Sequence, residues 1–161
     1  MVSSVAGFFM SRYFLTVLIT FLMTVVGLSA QTPVEDVIMK YEDAEGARDF
    51  IAKGLKMSLA RGLLKSTDVA PVAADVDELY VLKMAGASQS DRLQFVSDLN
   101  LALKHYDYYG KQPSKNGEVD VYVHYAGQDS VDELVIYNPA IYSLNSLYGH
   151  FTVRELMALV K

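Results

Sequence analysis

The sequence predicts an α+β fold: a two-layer sandwich in which an antiparallel sheet carries helices packed on one face. Three observations predict it. Apolar residues recur at helical spacing in three segments before about residue 110, then switch to period two from Val119. The strands after that switch are joined by short turns, which makes an antiparallel meander. Helix-start signals stand at Thr32, Ser88 and Thr152, outside the meander. The core order reads β-α-β-β-β-α with helices before it, and 161 residues suit one such domain.

The first thirty residues are set apart from this domain. Arg12 is their only charge, and it precedes an apolar run from Tyr13 to Leu28, closed by Ser29-Ala30-Gln31. A positive start, an apolar stretch and a small residue at the end form a cleavable secretory signal, residues 1–30, with the cut after Ala30. The competing reading is a retained anchor, disfavoured because a span needs roughly twenty apolar residues. Met10 offers a second start site just before Arg12. The domain is then residues 31–161, and the expected location is periplasmic or extracellular.

Thr32-Pro33-Val34-Glu35 supplies an N-cap, a proline at the first helical position and a glutamate placed to close a capping box. Val34, Val37, Ile38 and Tyr41 follow on one face, and Gly46 ends the element. Residues 47–52 read as a short strand. A second amphipathic helix carries Leu55, Leu59 and Leu63 on one stripe, and residues 66–77 read as a loop. Leu79 to Met84 has the aromatic and β-branched content of a buried strand. Ser88 caps a third helix whose face includes Phe95, Val96, Leu99, Leu103 and Tyr106 and which runs to about Gly110, before a turn at Pro113 and Asn116-Gly117. Strands follow over 119–125, 133–137 and 141–148, with Gly149 as a breaker. Thr152-Val153-Arg154-Glu155 opens a last helix through Leu156, Met157 and Val160.

Composition removes several chemistries. The chain has no Cys, so disulfides, thiolate metal sites, cysteine nucleophiles and a lipidated cysteine are excluded. The net charge is −5, without a basic run, which argues against nucleic acid. His105, His124 and His150 lack the spacing of a zinc helix or a di-metal site. Gly86-Ala87-Ser88-Gln89-Ser90 lacks the second glycine of a nucleophile elbow, and Ser88 reads as a cap. Asp75, Asp77 and Glu78 lack the glycine and terminal glutamate of a calcium loop. No phosphate-cradling or dinucleotide motif is present. The expectation is a protein without catalytic, cofactor-binding or metal-binding residues.

Two patterns point to contacts. Residues 32–46 hold five acids and one lysine, whereas 48–65 hold Arg48, Lys53, Lys56, Arg61 and Lys65 against Asp49. The expected arrangement sets this basic helix against the acidic first helix, so membrane contact through residues 53–65 is disfavoured. Eight of eleven tyrosines fall between 106 and 148. With one sheet face under helices, some of these rings are expected on the open face. Tyr122, Tyr137, Tyr142 and Tyr148 are the candidate contact surface, because tyrosine joins a large apolar ring to a polar tip.

Several stretches taken together resemble a known family: Leu28-Ser29-Ala30-Gln31, Val34 to Tyr41, Ile51 to Leu55, Glu78 to Leu82, and Gly149 to Leu156. They are similar to domain of unknown function 4252, small exported proteins found mainly in Bacteroidetes. The resemblance implies an envelope protein without an assigned activity or a catalytic motif to carry over. It also implies a gene context of extracytoplasmic-function sigma factors, hence envelope stress or surface sensing. Many relatives carry a lipoprotein cysteine at the cleavage site; this chain has Ala30-Gln31 there, so lipid anchoring is not implied. The combined expectation is a non-enzymatic binding module with an envelope protein as partner. The alternative is an envelope hydrolase using a carboxylate and histidine site.

Overall fold

Helix α1 spans Pro33–Tyr41 and begins as its sequence dictates. Thr32 Oγ1 accepts from the Glu35 backbone N–H at 3.3 Å, and Pro33 occupies the first turn, where no intrahelical N–H is required. The glutamate does not close the box. Its Oε1 instead accepts from the Tyr80 hydroxyl at 2.8 Å, which ties the helix start to the sheet. The computed structural model describes residues 31–159, so the expected signal over 1–30 and Val160 of the last helix lie outside the described residues.

After α1 come β1 (Arg48–Lys53), α2 (Leu55–Leu64), a 3-10 turn (Ala70–Asp75) and β2 (Val76–Lys83). Helix α3 (Gln89–Ala102) leads through a second 3-10 turn (Leu103–His105) into β3 (Asp107–Ser114) and β4 (Gly117–Tyr125). Strands β5 (Ser130–Asn138) and β6 (Ser143–Thr152) precede α4 (Val153–Met157). The strands form one six-stranded sheet, order β1-β2-β6-β5-β4-β3, and every neighbouring pair is antiparallel. This is the predicted α+β sandwich.

Two elements differ from expectation. The third helix ends at Ala102 rather than near Gly110, and Asp107–Ser114 becomes a strand. Proline has no N–H for a ladder, yet Pro113 is tolerated there because β3 is the last strand of the sheet and has one unpaired edge. Gly110, at φ +143°, sits at a register shift that bends this edge. Gly149 does not break its strand either, because β6 continues to Thr152. The glycine is there for clearance: a Cβ at this position would collide with the Asp75 backbone carbonyl.

Strand alternation divides the core in two. Tyr80, Leu82, Val135, Tyr137 and Leu144 point toward α1 and α3, where they meet Val34, Ile38, Phe95 and Leu99. Leu79, Val121, Leu134, Leu147 and Phe151 point the other way, toward Met57 and Ala60 of α2 and Leu156 of α4. The expected layer of helices on one face is thus built by α1 and α3, and α2 and α4 occupy part of the opposite face. Tyr41 and Tyr137 meet Phe95 edge-on at 5.7 Å and 6.2 Å, the arrangement favoured by ring quadrupoles. Thr32–Lys161 forms one compact unit. It contains both hydrophobic cores, as a domain that folds on its own requires, and among the described residues no buried side-chain polar atom lacks a partner.

Gly149→Ala tests the close approach of β6 to the 3-10 turn. The added methyl has to displace backbone, which is expected to cost about 3 kcal/mol. Urea denaturation reads this as a lower midpoint at unchanged slope.

Candidate functional site

The four candidate tyrosines lie on the covered side of the sheet. Tyr137 is buried, and Tyr122, Tyr142 and Tyr148 are half-buried against the α1–α3 core. The expectation that these rings form the open face is therefore corrected. Tyr122, Tyr137 and Tyr148 share one sheet face, and Tyr142 lies in the turn before β6 at φ +50°, its ring 5.3 Å from the Arg92 guanidinium. Ring packing accounts for Tyr137, which meets Phe95, and a hydroxyl contact for Tyr148, which meets Thr32. A buried hydroxyl needs a partner, and Glu133, Glu35 and Thr32 supply one to Tyr106, Tyr80 and Tyr148 on this side.

Glu133 is the centre of that supply. It lies on β5 at 1% exposure, and its Oε1 accepts from Ser146 Oγ at 2.6 Å while Oε2 accepts from the Tyr106 hydroxyl at 2.6 Å. Thr32 Oγ1 approaches Oε1 at 3.4 Å and shares a hydrogen bond with the Tyr148 hydroxyl. Burial pushes the Glu133 carboxyl above its ordinary value, and the hydrogen bonds from Ser146 and Tyr106 oppose that shift. Burial likewise raises Tyr106 and Tyr148, with the Glu133 charge adding to it, and pushes Tyr137 up to about 12. This cluster is enclosed, and its donors and acceptors satisfy one another; its work is to hold α1, β3, β5 and β6 together.

The opposite face holds the concavity. Because α2 and α4 cover it incompletely, Leu79, Val81, Val121, Ile136 and Leu147 form the floor of an open pocket of about 560 Å³. Leu64 and Val69 form one wall and Leu159 closes another. A few polar groups border this apolar bed, among them Asn145 on β6, Gln112 on β3 and the exposed Lys83 at the end of β2. Mostly apolar lining with few polar groups is the ordinary character of a small-ligand site, and the volume lies within the usual range of about 300–1,000 Å³. Sequence reasoning marked Val119, Val121 and Ile136 only as strand residues. Their alternation locates them on one face, but nothing local says how far the helices over that face extend.

The remaining candidates separate in space. His124 Nδ1 lies 2.7 Å from Asp132 Oδ1, and His150 Nδ1 lies 3.4 Å from Asp77 Oδ2; both rings are exposed and outside the pocket. His105 is exposed in the second 3-10 turn. Ser88 caps α3, accepting from the Asp91 N–H at 3.1 Å. The basic helix does not meet the acidic one, which corrects that expectation. α1 pairs with α3 through Lys40 and Asp98 at 2.6 Å. α2 and its approach pair with β2 instead, through Lys53–Glu78 at 2.9 Å and Arg61–Asp77 at 3.3 Å.

Comparison with known proteins adds no relative: no family model, curated protein or solved structure matches the chain.

Two substitutions test the role of Glu133. Glu133→Ala leaves the Tyr106 and Ser146 hydroxyls without their acceptor and is expected to cost about 2 kcal/mol. The folded carboxyl ionises above the ordinary 4.5, so its stabilising contribution is complete below that value and is lost as pH rises through the raised one. Glu133→Gln removes this titration, so its melting temperature is expected to fall less than the parent's as pH rises from about 4.5 to 7.

Proposed function

We propose that this protein is an exported, non-enzymatic binding module whose contact site is the half-covered sheet face rather than the tyrosine face. The observation that carries the reading is the open apolar pocket over Val81, Val121 and Ile136. The aliphatic floor supplies affinity through burial, at roughly 25 cal/mol per Å² removed from water. Asn145, Gln112 and Lys83 supply directional contacts at its border. The occupant is an apolar or amphipathic envelope component, either a small ligand or the side chains of a protein partner. The pocket's charged groups are Asp68 and Lys83, without a histidine, which favours binding over the alternative of a hydrolase using a carboxylate and histidine. The reading of export rests on the signal-like residues before Gln31 and on the resemblance to domain of unknown function 4252.

Export is tested by expressing the full chain in a bacterial host and sequencing the N-terminus of protein recovered from the envelope or medium. The expected start is Gln31. Protein retained in the cytoplasm with its leader intact counts against the reading.

The pocket is tested with an environment-sensitive apolar fluorophore, anilinonaphthalene sulfonate, and the chain beginning at Gln31. Ile136→Glu places a negative charge on the pocket floor from a half-buried position, which opposes both the rings and the sulfonate, and is expected to weaken fluorophore binding at least about tenfold, or 1.4 kcal/mol. Equal binding by parent and variant, both folded by circular dichroism, removes the pocket as the site.

A further inference from the structure

Helix α2 turns its leucines outward. Leu55, Leu59 and Leu63 are 82%, 74% and 72% exposed, whereas Met57 and Ala60 are buried and Leu64 packs against the same core. Spacing by four residues aligns the three leucines in one ridge on the side away from the sheet. Phe50, 48% exposed on the edge strand β1, alternates with Ala52 and so lies on the same side of the sheet. A contiguous leucine ridge on an otherwise acidic protein is not an ordinary scattering of surface apolar residues.

The charges beside the ridge indicate what covers it. Lys56 borders it on one side and Lys65 on the other; both are exposed and neither has an ion-pair partner among the described residues. The nearest acids on β2, Glu78 and Asp77, are engaged by Lys53 and Arg61. We infer that α2 lies flat against an anionic lipid surface, with Leu55, Leu59 and Leu63 in the acyl boundary and Lys56 and Lys65 at headgroup level. Ten residues cannot cross a bilayer, so the helix rests in the plane of the interface. A second copy of the chain is the competing occupant. An anionic surface opposes both lysines with the favourable sign, whereas α2 of a second copy carries no acidic residue to meet them. The sequence disfavoured membrane contact here because α2 was expected to dock on α1, with its modest length and the absence of Trp counting further against it; the docking does not occur. This inference is independent of the pocket.

Co-sedimentation of the chain beginning at Gln31 with vesicles tests it. Binding is expected on phosphatidylglycerol mixed with phosphatidylcholine, at least about tenfold weaker on phosphatidylcholine alone, and weaker again in high salt. The combined variant Leu55→Gln, Leu59→Gln, Leu63→Gln is expected to lose binding, and size-exclusion chromatography is expected to give a monomer for the parent. The pair Lys56→Glu, Lys65→Glu leaves the ridge intact and is expected to lose the preference for anionic vesicles, so it decides the matter should the leucine variant not fold. Parent binding equal to that of either folded variant overturns the inference. So does a parent dimer that the leucine variant abolishes.

Discussion

A carboxylate in the middle of a strand and shut away from water constrains the rest of this protein. Glu133 is tolerable on the sheet only because hydroxyls from separate parts of the chain converge on it: Tyr106 just before β3, Ser146 on β6 and Thr32 at the head of α1. Removing a buried charge from water is expensive, and each of these contacts offsets part of the cost only in its present position. The network therefore fixes where α1 begins and how the edge strand enters the sheet. It also holds Tyr106 and Tyr148 beneath the helices, where each ring buries its body and still satisfies its tip.

The two sides of the sheet consequently differ in kind. Polar tips and aromatic bodies fill the side under α1 and α3, and the strands give their aliphatic residues to the other. That second side is roofed by a ten-residue helix with few inward residues, a short 3-10 turn and a five-residue helix. Its valines and isoleucines are left as a concave bed, and the leucines of α2, with no further layer to meet, face outward. Pocket and ridge thus share one origin, a cover too small for the face it lies on.

How far the sequence was legible depended on how local each determinant is. Thr32, Ser88 and Thr152 were readable as caps because an N-cap acts over three residues, and at Thr152 the reciprocal contact with Glu155 is complete. The alternation of Val119, Val121 and Val123 with Asp120, Tyr122 and His124 was equally plain. What could not be read was which of those two faces would lie under the longer helices, because that is decided by contacts between distant parts of the chain, such as Thr32 with Tyr148 and Phe95 with Tyr137. The strand over Asp107–Ser114 was hidden by Tyr106, which extends a helical pattern and has strand propensity as well. Gly149 was misread for a similar reason: the demand for a missing Cβ comes from Asp75, seventy-four positions earlier.

The strand order has its own consequence for how the chain comes together in time. β6 lies between β2 and β5, so the β1–β2 pair joins the meander only through the strand that emerges last. Leu144 belongs to one core and Leu147 and Phe151 to the other, so neither core is complete before this segment arrives. Such long-range pairing is slow, since the closing loop must be ordered before its contacts reward it. A chain threaded through a pore from its N-terminus, whether the ribosome's tunnel or a membrane translocon, stays without a finished core until its final strand is free. The topology itself defers the finished core until threading ends.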